Sequence, residues 1–495
     1  MRTQSFSLTT ARTLLATASI LTCIAAQAAT ITIQSRDPVG EGFNDPTPAT
    51  PVGGNMGTTV GQQRYNVYRY VADIWERNLN SNVAITVSAG WEALTCTETS
   101  AVLGSAGAWN IWRDFPNSKP NRWYPAALAN KLAGVNLTDG TPDDGSGFGN
   151  VDIKTQFNVN LGQPGCLSGR TFYLGLDGNA GGQVNFAATL LHELGHGLGF
   201  SVISVNTSNG YRINASGSAY VATGGVPSVW EDFMYDNTAQ KSWLNMTSAE
   251  RRVSAINNLG LAWTGPNSVA GASILRSTPI LKATPPTGVL PVINYQASAF
   301  GPVLPAVSSL GALATLTTQA GETGPGCEPF NAANIAAVRG KVPIISRGTC
   351  GFAVKVKNAQ NAGAVGVLLA NNVDGDIAPG GADPTITIPS FGITQAAGDA
   401  LKAAVAAAKP YGTRSQPGVV IASLSTDPTR KAGADSLGRP LLYTPTQLAG
   451  GSSVSHWDVT ASPNLLMEPS INADLTLNVS PPYDLTLPLL KDIGW

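Results

Sequence analysis

His192 and His196 flank Glu193 in the run His192-Glu193-Leu194-Gly195-His196, and the 495-residue chain holds one other histidine, His456. With histidine this scarce, two of them four apart around a glutamate make an informative spacing. On a helix, residues four apart lie one turn apart on the same face, so both imidazoles can reach one ion. Glu193 then stands beside the pair, placed to take a proton from a water at that ion and to pass it to a departing amine. The chemistry this spacing supports is metal-assisted hydrolysis of an amide, with zinc as the ion.

Zinc bound this way needs a third protein ligand and an open position for water. His456, 260 positions beyond His196, is the remaining histidine. Glu231, in the stretch 226–236, is the rival, because some zinc hydrolases take a glutamate as third ligand. Asp232 and Asp236 share that stretch. Met467 follows His456 in the segment Pro463-Asn464-Leu465-Leu466-Met467-Glu468-Pro469, which reads as a tight turn. Met234 is a weaker turn candidate, with no histidine shortly before it.

The elements that must position these residues are legible as an α+β order. Residues 61–80 carry Tyr68, Val71, Ala72, Trp75 and Leu79 as a helical stripe. Val83, Ile85 and Val87 alternate as a half-buried strand would. Residues 151–159 alternate strictly, with Val151, Ile153, Thr155, Phe157 and Val159 on one face and a wet face opposite. Residues 171–176 read as a further strand, with a turn at Asp177-Gly178. The motif helix follows over 187–197, with Asn185 as its N-cap and Gly197 and Gly199 as its exit.

From about residue 275 the character changes. Residues 278–306 are rich in proline, and 341–370 read strand–loop–helix–strand. A short strand over 386–393 and an amphipathic helix over 394–408 complete a separate β/α rhythm, and the polar stretch 425–440 reads as an exit linker.

Arg2 and Arg12, the apolar run Leu14–Ala26 and the small-x-small site Ala26-Gln27-Ala28 form a secretory signal, which implies a secreted protein, or a periplasmic one in a Gram-negative cell. Removing it removes Cys23 and leaves Cys96, Cys166, Cys327 and Cys350. Sequence position favours the disulfides Cys96–Cys166 and Cys327–Cys350. A net charge of −1 and a charged fraction of 12%, against a usual value of about 25%, provide no basic stripe for nucleic acid. No later run is long and apolar enough to span a membrane. Asp143-Asp144 among glycines is a calcium candidate with nothing further to support it, and Asn206-Thr207-Ser208 fits a glycosylation sequon.

His192, Glu193, His196, Gly199, Phe200, His456 and Met467 together resemble the leishmanolysin-like branch of the metzincin zinc peptidases. In that branch an insertion separates the helix motif from the third histidine. Val202 stands where the short metzincin pattern has its third histidine, so the short form does not apply. The resemblance implies a metzincin-like fold, one catalytic zinc held by His192, His196 and His456, Glu193 as general base, and Met467 as a methionine turn under the metal. The segments 341–372 and 386–401 resemble the protease-associated (PA) domain, which implies a module that binds substrate or partner proteins and carries no catalytic residue. The expected organisation is a signal at 1–28, a catalytic part at 29–274, an inserted PA domain at 275–428, and a second catalytic part at 429–495. The function implied is a secreted zinc endopeptidase acting on proteins or peptides. The alternative is an exported binding protein that keeps the fold and little activity.

Overall fold

Four strands form the sheet on which the motif helix rests: β1 (Ile31–Ser35), β2 (Ile85–Glu92), β3 (Gly104–Ala108) and β4 (Ile153–Asn158), in the order β1-β2-β4-β3. This is the arrangement in a computed structural model that describes residues 28–98, 100–139, 149–381, 383–408, 418–472 and 474–495. The signal segment up to Gln27, Cys23 within it, and Asp143-Asp144 lie outside the described residues.

β1, β2 and β4 run parallel, and β3 is antiparallel at the edge. Ile153, Thr155 and Phe157 of β4 are buried, as the alternation predicts. The opposite face is drier than expected at its ends. Asp152 is buried because it accepts from the Thr86 amide and the Asn130 carboxamide, and Asn158 because its carboxamide bonds Leu94 and Val102. A buried polar side chain is tolerated when its hydrogen bonds are met, so alternation alone overstated the wet face.

Helix α1 (Val60–Asn78) starts at Thr59, whose side chain accepts the Gln62 amide, and buries Val67, Tyr68, Val71, Ala72 and Trp75 against sheet and motif helix. Helix α2 (Ala126–Ala133) buries Ala126, Ala127, Leu128, Ala129 and Asn130. Helix α3 (Phe186–Leu198) carries the motif, and Asn185 caps it by accepting the Ala188 amide. All thirteen residues of α3 are buried, which is the condition of a helix apolar on every side. Burying each of Phe186, Leu190, Leu191, Leu194 and Leu198 stabilises the fold by about 1.5–3 kcal/mol. Gly197 lies inside the helix, not at its exit. A β-carbon there would stand 2.3 Å from Ile153 of β4, so the residue is small to let helix and sheet approach. The exit falls at Gly199, where φ is +123°.

A second sheet occupies residues 277–431. Its main strands are β5 (Ser277–Thr284), β6 (Ser308–Thr315), β7 (Val342–Ser346), β8 (Val367–Ala370), β9 (Ser390–Ile393) and β10 (Ile421–Lys431), with two-residue strands at both edges. β6 to β9 are parallel neighbours, with helices α4 (Ala332–Val338) and α5 (Phe352–Asn361) between successive strands and α6 (Gln395–Ala407) after β9, and separate apolar clusters cover the two faces. The segment read as an exit linker is in large part a strand: β10 pairs with β5 from Thr284↔Ile421 to Ser277↔Lys431. Ladder hydrogen bonds satisfy a polar strand backbone as well as an apolar one, so composition concealed it. The unit therefore runs past residue 428. Its two ends meet side by side, with the Ala432 amide donating to the Arg276 carbonyl.

After β10 the chain rejoins the first core. Leu442, Val454, Trp457, Leu465, Leu466 and Met467 pack with Leu190, Leu191 and Leu194, and helix α7 (Thr486–Ile493) closes the chain. The disulfides are Cys96–Cys166 and Cys327–Cys350, the pairs favoured by position.

Candidate metal centre

The structure brings the three histidines of the chain to one point. Nε2 of His196 lies 3.1 Å from Nε2 of His192 and 3.1 Å from Nε2 of His456, and the remaining pair is 3.3 Å apart. His192, His196 and His456 are 5%, 9% and 5% exposed.

Each ring is fixed from behind by a backbone carbonyl. His192 Nδ1 is 2.7 Å from the Leu466 oxygen, His196 Nδ1 is 2.7 Å from the Phe200 oxygen, and His456 Nδ1 is 2.9 Å from the Ser452 oxygen. A carbonyl only accepts, so each Nδ1 carries the proton and each Nε2 presents a bare lone pair. Burial lowers the basicity of all three rings, with repulsion from His196 adding to it at His192 and His456. His192 falls to about 3, His196 to about 4, and His456 well below the ordinary range. Three buried acceptors aimed at one point, with no donor among them, are costly unless a cation fills the space.

The donor set fits zinc. Zinc–nitrogen bonds of about 2.0–2.1 Å at tetrahedral angles place ligand nitrogens about 3.3–3.4 Å apart, close to the triangle formed here. Carbonyl acceptors on the second ring nitrogen are the usual outer support of histidine ligands.

Glu193 lies in α3 beside His192 and is buried. Burial raises its carboxyl to about 8, opposed by a hydrogen bond from the Ala106 backbone of edge strand β3. Met467 lies under the motif, with its Sδ 2.8 Å from where a β-carbon on Gly195 would stand.

The structure does not bring the rival ligands to this point. Glu231 is fully buried in an ion pair with Arg212 at 2.7 Å and accepts from Ser204. Asp232 pairs with Arg122 and Lys119, and Asp236 takes Ser254 and Asn257. Met234 belongs to a short strand, Met234–Asp236. Val202 holds its backbone amide 3.2 Å from Ser455 Oγ, next to His456.

Several contributors had little or no trace in the sequence. The carbonyls of Leu466, Phe200 and Ser452 and the backbone of Ala106 act through main-chain atoms, which any residue supplies. Gly195 did leave a signal, since a glycine inside an apolar helix asks for a packing reason.

Residues 301–401 match the PA domain family, and the chain carries a PA domain there. The curated relatives match over short stretches. Vacuolar-sorting receptor 5 of Arabidopsis thaliana is 38% identical over 95 residues, covering 17% of this chain and 15% of the receptor. A probable lipoprotein aminopeptidase of Mycobacterium tuberculosis is 32% identical over 94 residues, covering 19% of each chain. This chain thus spans less than a fifth of the length of these relatives. Among solved structures, a zinc aminopeptidase from Bacillus subtilis shows 22% identity over 32% of this chain and 36% of its own, with a TM-score of 0.20. An aminopeptidase from Aneurinibacillus shows 20% identity over 40% and 42%, also with a TM-score of 0.20. Scores this low carry no argument about the first body. Among the described residues no helix is long and apolar enough to cross a membrane.

Proposed function

We propose that the chain is a secreted zinc-dependent endopeptidase of the metzincin type, with its PA domain inserted between the motif helix and the third histidine. One observation carries this reading: three Nε2 atoms converge within 3.3 Å, each ring locked by a carbonyl on its other nitrogen. His192, His196 and His456 are the ligands in this reading, and Met467 is the methionine turn. Two disulfides fit an exported chain.

His192, His196 and His456 would hold the zinc, which when bound would supply Lewis-acid chemistry, lowering the pKa of a water toward neutrality and polarising a carbonyl. Glu193 supplies the proton traffic. Its carboxylate takes a proton from the attacking water, and the resulting acid delivers that proton to the departing nitrogen. Burial favours the protonated form in the second half of that cycle. β3 is the outermost strand of its sheet, and a substrate strand can align along that edge by backbone hydrogen bonds. Selection by side chain then falls to the groove of 340 Å³ bounded by Ser201, Val202, Tyr220, Leu448 and Ser455, which adjoins His456 in the chain. The PA domain holds a protein substrate or partner.

A second reading is an exported binding protein, favoured by the likeness of a 95-residue stretch to a vacuolar-sorting receptor. Zinc analysis with a casein assay, with and without chelator, separates the two. We expect bound zinc and chelator-sensitive cleavage. A purified protein without zinc and without cleavage overturns the peptidase reading.

A further inference from the structure

We propose that Asp484 is a positioning residue for the metal centre: its buried carboxylate holds the strap Leu465–Met467 where the Leu466 carbonyl can fix the His192 ring. This inference rests on the zinc reading above and extends it to a residue outside the ligand set.

The strap is irregular backbone under a buried helix, with Leu465, Leu466 and Met467 at most 1% exposed. Its amides have no ladder to join, and a buried amide without an acceptor is rare and costly. Two carboxylates take them. The Leu465 amide donates to Glu468 Oε1 at 2.7 Å, and the Leu466 amide donates to Asp484 Oδ2 at 2.6 Å. Asp484 Oδ1 accepts the Thr486 amide at 2.7 Å, at the start of α7. Asp484 is 2% exposed, and among the described residues no basic side chain is ion-paired with it. Its two oxygens accept the Leu466 and Thr486 amides.

The geometry makes a short mechanical path. Asp484 grips Leu466 through its amide, and the Leu466 carbonyl accepts from His192 Nδ1 at 2.7 Å. The next residue, Met467, packs under Gly195, and Thr486 Cγ2 lies 3.7 Å from the same Gly195 position. The segment 484–486 therefore touches both the strap and the motif helix. A blander role is available, in which Asp484 merely closes the turn into α7 through Thr486.

Asp484→Asn separates the two roles, because asparagine closes the same two-residue turn equally well yet has one acceptor oxygen where aspartate has two. The variant keeps the Thr486 bond and loses the one to Leu466. The measurement is zinc affinity of the full chain by chelator competition, with the unfolding temperature of the metal-free protein recorded alongside. Asp152→Asn is the control, another buried carboxylate that accepts two donors but sits away from the strap. We expect Asp484→Asn to weaken zinc binding about ten- to a hundredfold, as loss of outer support for histidine ligands does, and Asp152→Asn to leave it within about threefold. Should Asp484→Asn not fold, Asp484→Glu displaces the same carboxylate, and a fall of zinc affinity beyond threefold is then expected. Unchanged affinity in the variant tested, or an equal loss in the control, overturns the proposal while leaving the zinc reading intact. A parent protein that binds no zinc overturns both.

Discussion

The thioether of Met467 lies directly beneath Gly195, with Sδ 2.8 Å from where a β-carbon on that glycine would stand. The glycine is therefore part of the site, though it bears no chemistry. It lets a residue from near the end of the chain press against the helix that carries His192 and His196.

Gly195→Ala should consequently break a general rule. In a helix interior this change normally stabilises by about 1 kcal/mol. Here it overpacks a closed contact, and we expect a loss of about 1–3 kcal/mol. The same change in a Met467→Ala background should cost less, since the obstructing sulfur is gone. Thermal unfolding of the four proteins of that cycle measures the coupling, and purely additive losses would contradict the contact.

Glu193→Gln should keep the metal and lose the reaction. The side chain remains on α3 next to His192, but its amide cannot accept a proton. We expect peptide cleavage to fall by about a hundredfold or more, with zinc content per chain unchanged. Wild-type turnover in this variant would remove Glu193 from the mechanism.

Glu231 and His456 should respond in opposite ways. Glu231 is the buried partner of Arg212, so Glu231→Gln leaves a buried guanidinium without its counter-charge. The expected cost is about 3–5 kcal/mol of stability, with zinc affinity retained in the folded fraction. His456→Ala should instead release zinc. Metal analysis beside thermal unfolding of the two variants checks this. Zinc loss in Glu231→Gln with retention in His456→Ala would reverse the assignment.

The parts of this site legible in the sequence are those encoded by side-chain type and local spacing. His192, Glu193 and His196 announce themselves because a helix turns identity at four-residue spacing into proximity. Asn185 announces the helix start by its capping chemistry. His456 and Met467 were readable only through scarcity and resemblance, because no local rule links residues 260 apart. The carbonyls of Leu466, Phe200 and Ser452 left no mark, being common to all residues. β10 reads as a linker because its polar residues satisfy a ladder with backbone atoms, and Gly197 reads as a terminator although its smallness serves the approach to Ile153. Both errors come from contacts made by tertiary structure.

X-ray absorption at the zinc edge, on the purified parent and on His456→Ala, tests the central claim most directly. The account predicts imidazole scattering from three histidines at about 2.0–2.1 Å in the parent and loss of the metal, or of one imidazole from its shell, in the variant. A parent spectrum with two imidazoles and a protein carboxylate, or a spectrum unchanged by His456→Ala, would contradict it.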